Sequence, residues 1–243
     1  MAGGDSLALV EAAIRGGAVT LLAVLAVLLL RDGRRAPAGL YGALYVASIA
    51  AYVIASAPGL LHHSWALWLM PARLGAFGAP AMFWLFSRAS FDDSFKPSWR
   101  DAAPWLLMVG AGISCARQLV PGVCAVDSVL QFAFFGLAIY QAVVGRAADL
   151  IEERRKFRVV LIVTAAVYAT IIVALEAVMH GPPAGPPLSI VNASGLLAIT
   201  LAFVVARLTL MPSAEFAPVA VAEPARVDPA PPAEAEAPAV VDL

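Results

Sequence analysis

A succession of apolar runs constrains this chain more than any other feature. The runs are about 18 to 24 residues long, close to the ~20 that a helix needs to cross a hydrocarbon core about 30 Å thick. Charged residues gather between the runs instead of being spread along them. Of 243 residues, 61% are hydrophobic and only 14% charged, where a soluble domain carries about a quarter charged residues. The expected class is therefore an all-α polytopic membrane protein.

Seven runs are legible. They extend over Leu9 to Leu30, Pro37 to Ser56, Trp65 to Arg88, Ala102 to Val120, Val126 to Arg146, Val159 to His180 and Leu188 to Met211. Pro58-Gly59 closes the second. No basic cluster precedes the first and no small-residue cleavage site follows it, so it reads as an uncleaved anchor.

With the N-terminus outside, the inner segments hold Arg31, Arg34, Arg35, Arg88, Lys96, Arg100, Arg146, Arg154, Arg155, Lys156 and Arg158, and the outer ones only Arg15 and Arg117. That asymmetry is a strong positive-inside bias and places the C-terminus in the cytoplasm. Two parts follow: a transmembrane domain over residues 1–211 and a tail over 212–243. The tail is rich in Pro, Ala, Val and Glu and holds six acids against one arginine. Such a composition cannot bury an apolar face and predicts a disordered, acidic Pro/Ala-rich extension. No internal repeat of the kind that builds many transporters is visible.

A charge near the bilayer centre costs at least ~2.5 kcal/mol, so ionisable residues inside the runs point to function. Arg73 follows Trp65 by eight residues, which predicts a depth of about 12 Å at 1.5 Å per residue. Glu176 falls near the outer end of the sixth run, Asn192 one turn into the seventh and Gln131 in the outer half of the fifth. Glu11 and Arg15 share a helix face at an i,i+4 spacing that lets them pair. All six belong to the outer half of the bundle. They define a candidate ligand pocket, with Arg73 and Glu176 as its charged pair. The simpler alternative is that Arg73 and Glu176 bridge helices while Glu11 and Arg15 snorkel to water.

His62, His63 and His180 fall in outer loops, and ordinary interfacial roles account for them without a metal. Cys115 and Cys124 flank the outer connection between the fourth and fifth runs, where an oxidising compartment permits a disulfide; Cys115 serves equally as an apolar packing residue. On the inner side, Asp92 and Asp93 follow the third run, while Glu152, Arg154 and Arg155 lie in the charged segment before the sixth. Together they form a candidate relay surface. The only lysines, Lys96 and Lys156, lie in inner loops, which excludes a retinal Schiff base in the seventh helix. There is no Gly-rich phosphate loop, Cys-x-x-Cys or nucleophile elbow. No enzymatic activity and no cofactor are expected.

Phe83-Trp84-Leu85-Phe86-Ser87-Arg88-Ala89-Ser90-Phe91-Asp92-Asp93-Ser94-Phe95, followed by Trp99, resembles the signature after the third helix in the membrane domains of proteobacterial AraC-type transcriptional regulators. The segment from Asp149 to Arg158 is similar to their connection between helices 5 and 6, and the Leu28-Leu29-Leu30-Arg31-Asp32 exit also fits. The resemblance covers about residues 8–211 and implies a seven-helix sensor domain in the bacterial inner membrane. It also implies an extracytoplasmic small-molecule signal and a cytoplasmic transcriptional output. In that family a helix-turn-helix domain follows the Pro/Ala-rich linker. This chain has no such domain after the tail, so direct nucleic-acid binding is not expected, and a cytoplasmic regulator or DNA-binding partner would carry the output. A small-solute transporter or channel and a non-catalytic membrane partner protein are the alternatives.

Overall fold

A bilayer-spanning backbone must satisfy its own N–H and C=O groups, and the chain does so with helices. The computed structural model describes residues 2–33, 37–61, 66–92, 95–144, 152–179 and 186–210. Seven long helices occur among them: α1 (Ala2–Gly33), α2 (Pro37–Ala55), α3 (Met70–Phe91), α4 (Ala102–Ala116), α5 (Val123–Val144), α6 (Glu152–Met179) and α7 (Pro186–Leu210). A single helical turn at Pro58–Leu61 and 3-10 turns at Leu67–Leu69 and Trp99–Asp101 complete the regular structure. No strand is present among the described residues.

Five helices are long and apolar enough to cross a membrane, over Ser6–Arg31, Pro37–Ala55, Val123–Val144, Ile162–Met179 and Pro187–Val205. The exceptions are α4, only 15 residues long, and α3. The latter has 22 residues but includes Arg73 and Arg88 and buries Gly78, Ala79, Pro80, Ala81, Phe83, Leu85 and Ser87. It packs against α2, α4 and α5, so its lower apolarity belongs to an inner helix with neighbours on several sides.

α1 begins at Ala2 and α6 at Glu152, each seven residues ahead of its apolar run, and two further boundaries differ from the expectation for local reasons. α3 begins at Met70, because Ala66 is extended, Leu67–Leu69 is a 3-10 turn and Pro71 occupies the first helical turn. A proline is tolerated there because its missing N–H would have no intrahelical partner anyway. Arg73 consequently lies about 5 Å along α3, not 12 Å. α4 ends at Ala116, short of Val120. Gln118 takes a left-handed φ of 53°, its N–H reaches the Cys115 carbonyl at 3.0 Å and the Leu119 N–H reaches that of Ser114, also at 3.0 Å. This paired bonding is a Schellman stop with glutamine in the position glycine usually takes.

Successive helices run antiparallel: the start of α1 meets the end of α2 and the start of α7, while Ser87 late in α3 donates to the Ala138 carbonyl late in α5 at 2.8 Å. We call the end where α2, α4 and α6 finish and α3, α5 and α7 begin the upper end. Near the lower end the core is aromatic. Phe83 lies 4.9 Å from Tyr45 and 6.1 Å from Phe135 between ring centroids, over Ala138, Ala142 and Ile162. Close approach of α3 to its neighbours depends on small residues. A Cβ on Gly78 would stand 2.0 Å from Trp105 Nε1, and one on Gly112 would stand 2.6 Å from Phe77 Cγ. Trp105 and Phe77 thus lock α3 to α4, and Gly75, against Ala51 Cβ, locks α3 to α2.

At the lower end the 3-10 turn before α4 is closed by a capping box between Ser98 and Asp101. Asp101 Oδ2 also accepts from the Tyr41 hydroxyl at 2.6 Å, tying α2 to the start of α4. The Arg88 guanidinium lies 5.0 Å from the Phe95 ring centroid and 3.8 Å from Asp92. Asp93, His62, His63, His180 and the 212–243 tail lie outside the described residues, and Glu152, Arg154 and Arg155 fall in the opening turns of α6.

Candidate functional site

Two groups of polar residues occupy the upper half, and they differ in kind. In the first, the i,i+4 spacing on α1 brings Glu11 Oε1 to 2.9 Å from Arg15 Nε. Both residues are buried, at 8% and 6% exposure, so neither snorkels. An arginine side chain has five N–H donors, and Arg15 uses all of them. Nη1 reaches the Val53 carbonyl at 2.7 Å and Ser56 Oγ at 3.0 Å. Nη2 reaches the Ser56 carbonyl at 3.4 Å and Ser189 Oγ at 2.9 Å. Ser189 in turn donates to Glu11 Oε1. This is a closed clamp joining α1, α2 and α7, with no donor left over for a ligand. Glu11 and Arg15 therefore leave the set of candidate binding residues: burial and mutual satisfaction make them structural.

The second group surrounds a cavity of about 740 Å³. Helices α2, α3, α5, α6 and α7 form most of its wall, with Leu22 and Leu25 of α1 and Gly112, Cys115 and Ala116 of α4. Along α2 the lining runs from Ser56 down to Tyr45, a depth of about 16 Å at 1.5 Å per residue. The rim includes the exposed Ala116, Gln118 and Ala125. Cys115 and Cys124 are joined as a disulfide at this rim, and Gly122, with φ of +78°, turns the chain between them.

The upper wall is polar. Arg73, Asp127, Gln131 and Glu176 all line it, so three of the six residues expected in a ligand pocket do share one. Glu176 Oε1 accepts from the Tyr52 hydroxyl at 2.6 Å. Asn192 stands behind this pair: its Nδ2 donates to the Tyr52 hydroxyl at 3.3 Å and its Oδ1 accepts from the Tyr168 hydroxyl at 2.9 Å. Asn192 therefore holds two lining tyrosines in place without lining the cavity itself. Glu176 is thus bonded to a tyrosine of the same cavity wall that Arg73 lines.

Asp127 was not among the sequence candidates. It lies in the second turn of α5, its Oδ2 accepts from Gln131 Nε2 at 2.8 Å, and its Oδ1 is buried without a hydrogen-bond partner. The signal that reveals it is the i,i+4 spacing to Gln131 inside an apolar helix, the same pattern that marks Glu11 and Arg15. Tyr52 and Tyr168 carry no such signal, since tyrosines in apolar helices are ordinary packing residues.

Below the tyrosines the wall is apolar, with Ile49, Ile172, Ile199 and Phe203. Pro80 contributes its ring, and because proline has no N–H it gives the Ala76 carbonyl no helical donor; both residues line the cavity. The Thr200 hydroxyl is turned to the Leu196 carbonyl at 2.7 Å. The described residues contain no cluster of three or more His, Cys, Asp or Glu able to hold a metal. A polar upper wall over an apolar floor suits a small amphipathic molecule, and the volume lies within the usual range of ligand sites.

No protein-family model matches the chain, and no curated protein or solved structure matches it either.

Proposed function

We propose that this chain is a seven-helix sensory module of the bacterial inner membrane. It binds a small molecule from the extracytoplasmic side and relays the event to a cytoplasmic transcriptional output carried by a partner. It does so without chemistry of its own and without a cofactor. The positive-inside bias supports the orientation, and burial of Arg15 in the clamp removes one of the two outer charges that opposed it. α3 runs from Arg73 at the cavity to Arg88 and Asp92 at the lower end, so it is the element suited to the relay. Asp92, Asp93, Glu152, Arg154 and Arg155 would form the surface that a cytoplasmic regulator reads. A ligand can bias such a bundle only by binding one arrangement better than another.

One observation carries the reading: among the described residues the cavity's lining ends partway down the bundle. Its lining stops at Leu25, Tyr45, Phe135 and Phe203, and beyond them Phe83, Ala138, Ala142 and Ile162 are close-packed. A solute path would need polar groups continuing to the lower end. There Tyr41 is bonded to Asp101 and Tyr45 is stacked on Phe86 and tilted against Phe83.

The test is one-sided labelling. Ser128→Cys at the upper wall and Thr200→Cys at the floor are each exposed to a membrane-impermeant thiosulfonate, in spheroplasts and in inverted vesicles. The native bridged cysteines are unreactive under these conditions. Labelling of both positions from the outer face only is the expected result. Labelling of Thr200→Cys from the cytoplasmic face would establish a through path and replace the sensor with a transporter or channel.

A further inference from the structure

The cavity's charge and its bonding pattern together describe the head group it takes. Two carboxylates, Asp127 and Glu176, line it against a single guanidinium, Arg73. No other Asp, Glu, Lys, Arg or His is in the described lining. One oxygen of each carboxylate is already used, by Gln131 and Tyr52 respectively. Asp127 Oδ1 is a buried acceptor with nothing bonded to it, and an unsatisfied buried acceptor is among the costlier features a folded chain can carry. A donor supplied by a ligand would remove that cost. A positively charged donor would also balance the second carboxylate, and a charge-assisted bond is about twice as strong as a neutral one.

Aromatic faces flank the same space. Tyr52, Phe77 and Tyr168 line its upper and middle levels and Phe135 its depth, and such rings favour an organic cation through their quadrupoles. The floor is mainly Ile49, Ile172, Ile199 and Phe203, with the Thr200 hydroxyl turned to the Leu196 carbonyl, and would receive an apolar body.

We propose that the cavity binds a small organic monocation: an ammonium group with at least one N–H, directed to Asp127 Oδ1 and attached to an apolar body that fills the floor. This inference rests on the cavity being the ligand site of the proposed sensor and adds the chemical class of its ligand.

The experiment uses the full chain in lipid nanodiscs and matched probes of three head groups, a primary ammonium, a primary alcohol and a carboxylate, each on phenylethyl, hexyl and indolylethyl bodies. Binding is read by calorimetric titration to millimolar concentration. At least one ammonium should bind saturably and about tenfold or more tighter than its alcohol and carboxylate counterparts, the discrimination expected of a charge-assisted bond. Asp127→Asn should remove that preference, weakening the ammonium about tenfold or more relative to its alcohol counterpart. Glu176→Gln, with its Tyr52 bond retained, should reduce the preference without abolishing it, and monodispersity on size exclusion verifies folding of both variants. Preference for the carboxylate would assign recognition to Arg73 and overturn the proposal, as would equal binding of all three head groups or no saturable ammonium binding on any body. Partition into lipid is recognised because it neither saturates nor responds to Asp127→Asn. The outcomes also separate the two readings: Asp127-dependent ammonium binding with two-sided labelling keeps the ligand class and removes the sensor, whereas one-sided labelling without ammonium preference does the reverse.

Discussion

At Arg15 the bundle stores a dependence that a single substitution exposes. Arg15→Met leaves the Glu11 carboxylate buried beside α2 and α7 without its guanidinium partner, although Ser189 still donates to it. Breaking a buried pair from one side costs about 3 to 5 kcal/mol, so the variant should melt well below the parent in detergent. Joint replacement, Glu11→Leu with Arg15→Met, should recover most of that loss, because both desolvation penalties disappear together with the attraction. Equal melting of the single and double variants would mean that the clamp carries no uncompensated charge when broken. Asp127 presents the opposite case. Its carboxylate has one oxygen bonded to Gln131 and the other buried without a hydrogen-bond partner. The spacing of Glu11 and Arg15 predicts their pairing, yet it also made them candidates for a ligand pocket. Only the positions of Ser56 and Ser189, more than 40 and 170 residues away along the chain, show that the pair is fully used.

At the scale of the helix, packing separates glycines that look alike in sequence. Gly78→Ala drives a methyl group into Trp105 and should cost about 1 to 3 kcal/mol as overpacking. Gly110→Ala, with nothing within 4 Å of the new methyl, should be neutral or gain up to about 1 kcal/mol from helix propensity. Thermal melts of the two variants check this contrast, and a shift of the same sign and size in both would overturn the packing of α3 on α4. Glycines such as Gly75 and Gly78 would leave room for α3 to move if nothing packed against them. Their contacts with Ala51 and Trp105 fill that room, so any motion of α3 must carry its neighbours with it. The α4–α5 connection is held separately, by the Schellman stop at Gln118 and by the Cys115–Cys124 bridge over nine residues. Closing a loop of that length is worth about 2 to 3 kcal/mol in the chain-entropy account. Reductant should therefore lower the melting temperature of the parent and leave a Cys115→Ser, Cys124→Ser double variant unaffected. An unchanged parent would show that the bridge does not contribute.

For the molecule as a whole, the apolar runs determined the helical, membrane-spanning class, because a backbone in hydrocarbon must satisfy itself within each segment and a span has a minimum length. Both conditions are local, and a local property can be read from the order of residues. Runs three and four were harder to judge. α3 tolerates Arg73, Pro80 and Arg88 because other helices surround it, and α4 is cut short by a turn in which glutamine does the work of glycine. Hydropathy alone sees neither circumstance. The six polar candidates illustrate the limit of sequence more sharply. All lie in the upper half of the bundle, as their positions along the runs imply, but three line the cavity, one braces its tyrosines and two belong to a sealed clamp. Which role each took depends on the rotation of its helix about its axis, and that rotation is set by contacts such as Trp105 on Gly78 and Ala51 on Gly75. Height along the bundle is a property of position along one segment, and the sequence by itself determined it to within a turn or two. Facing is a property of seven segments packed together, so the tertiary structure alone decided that Asp127, Glu176 and Arg73 share one cavity while Glu11 and Arg15 do not.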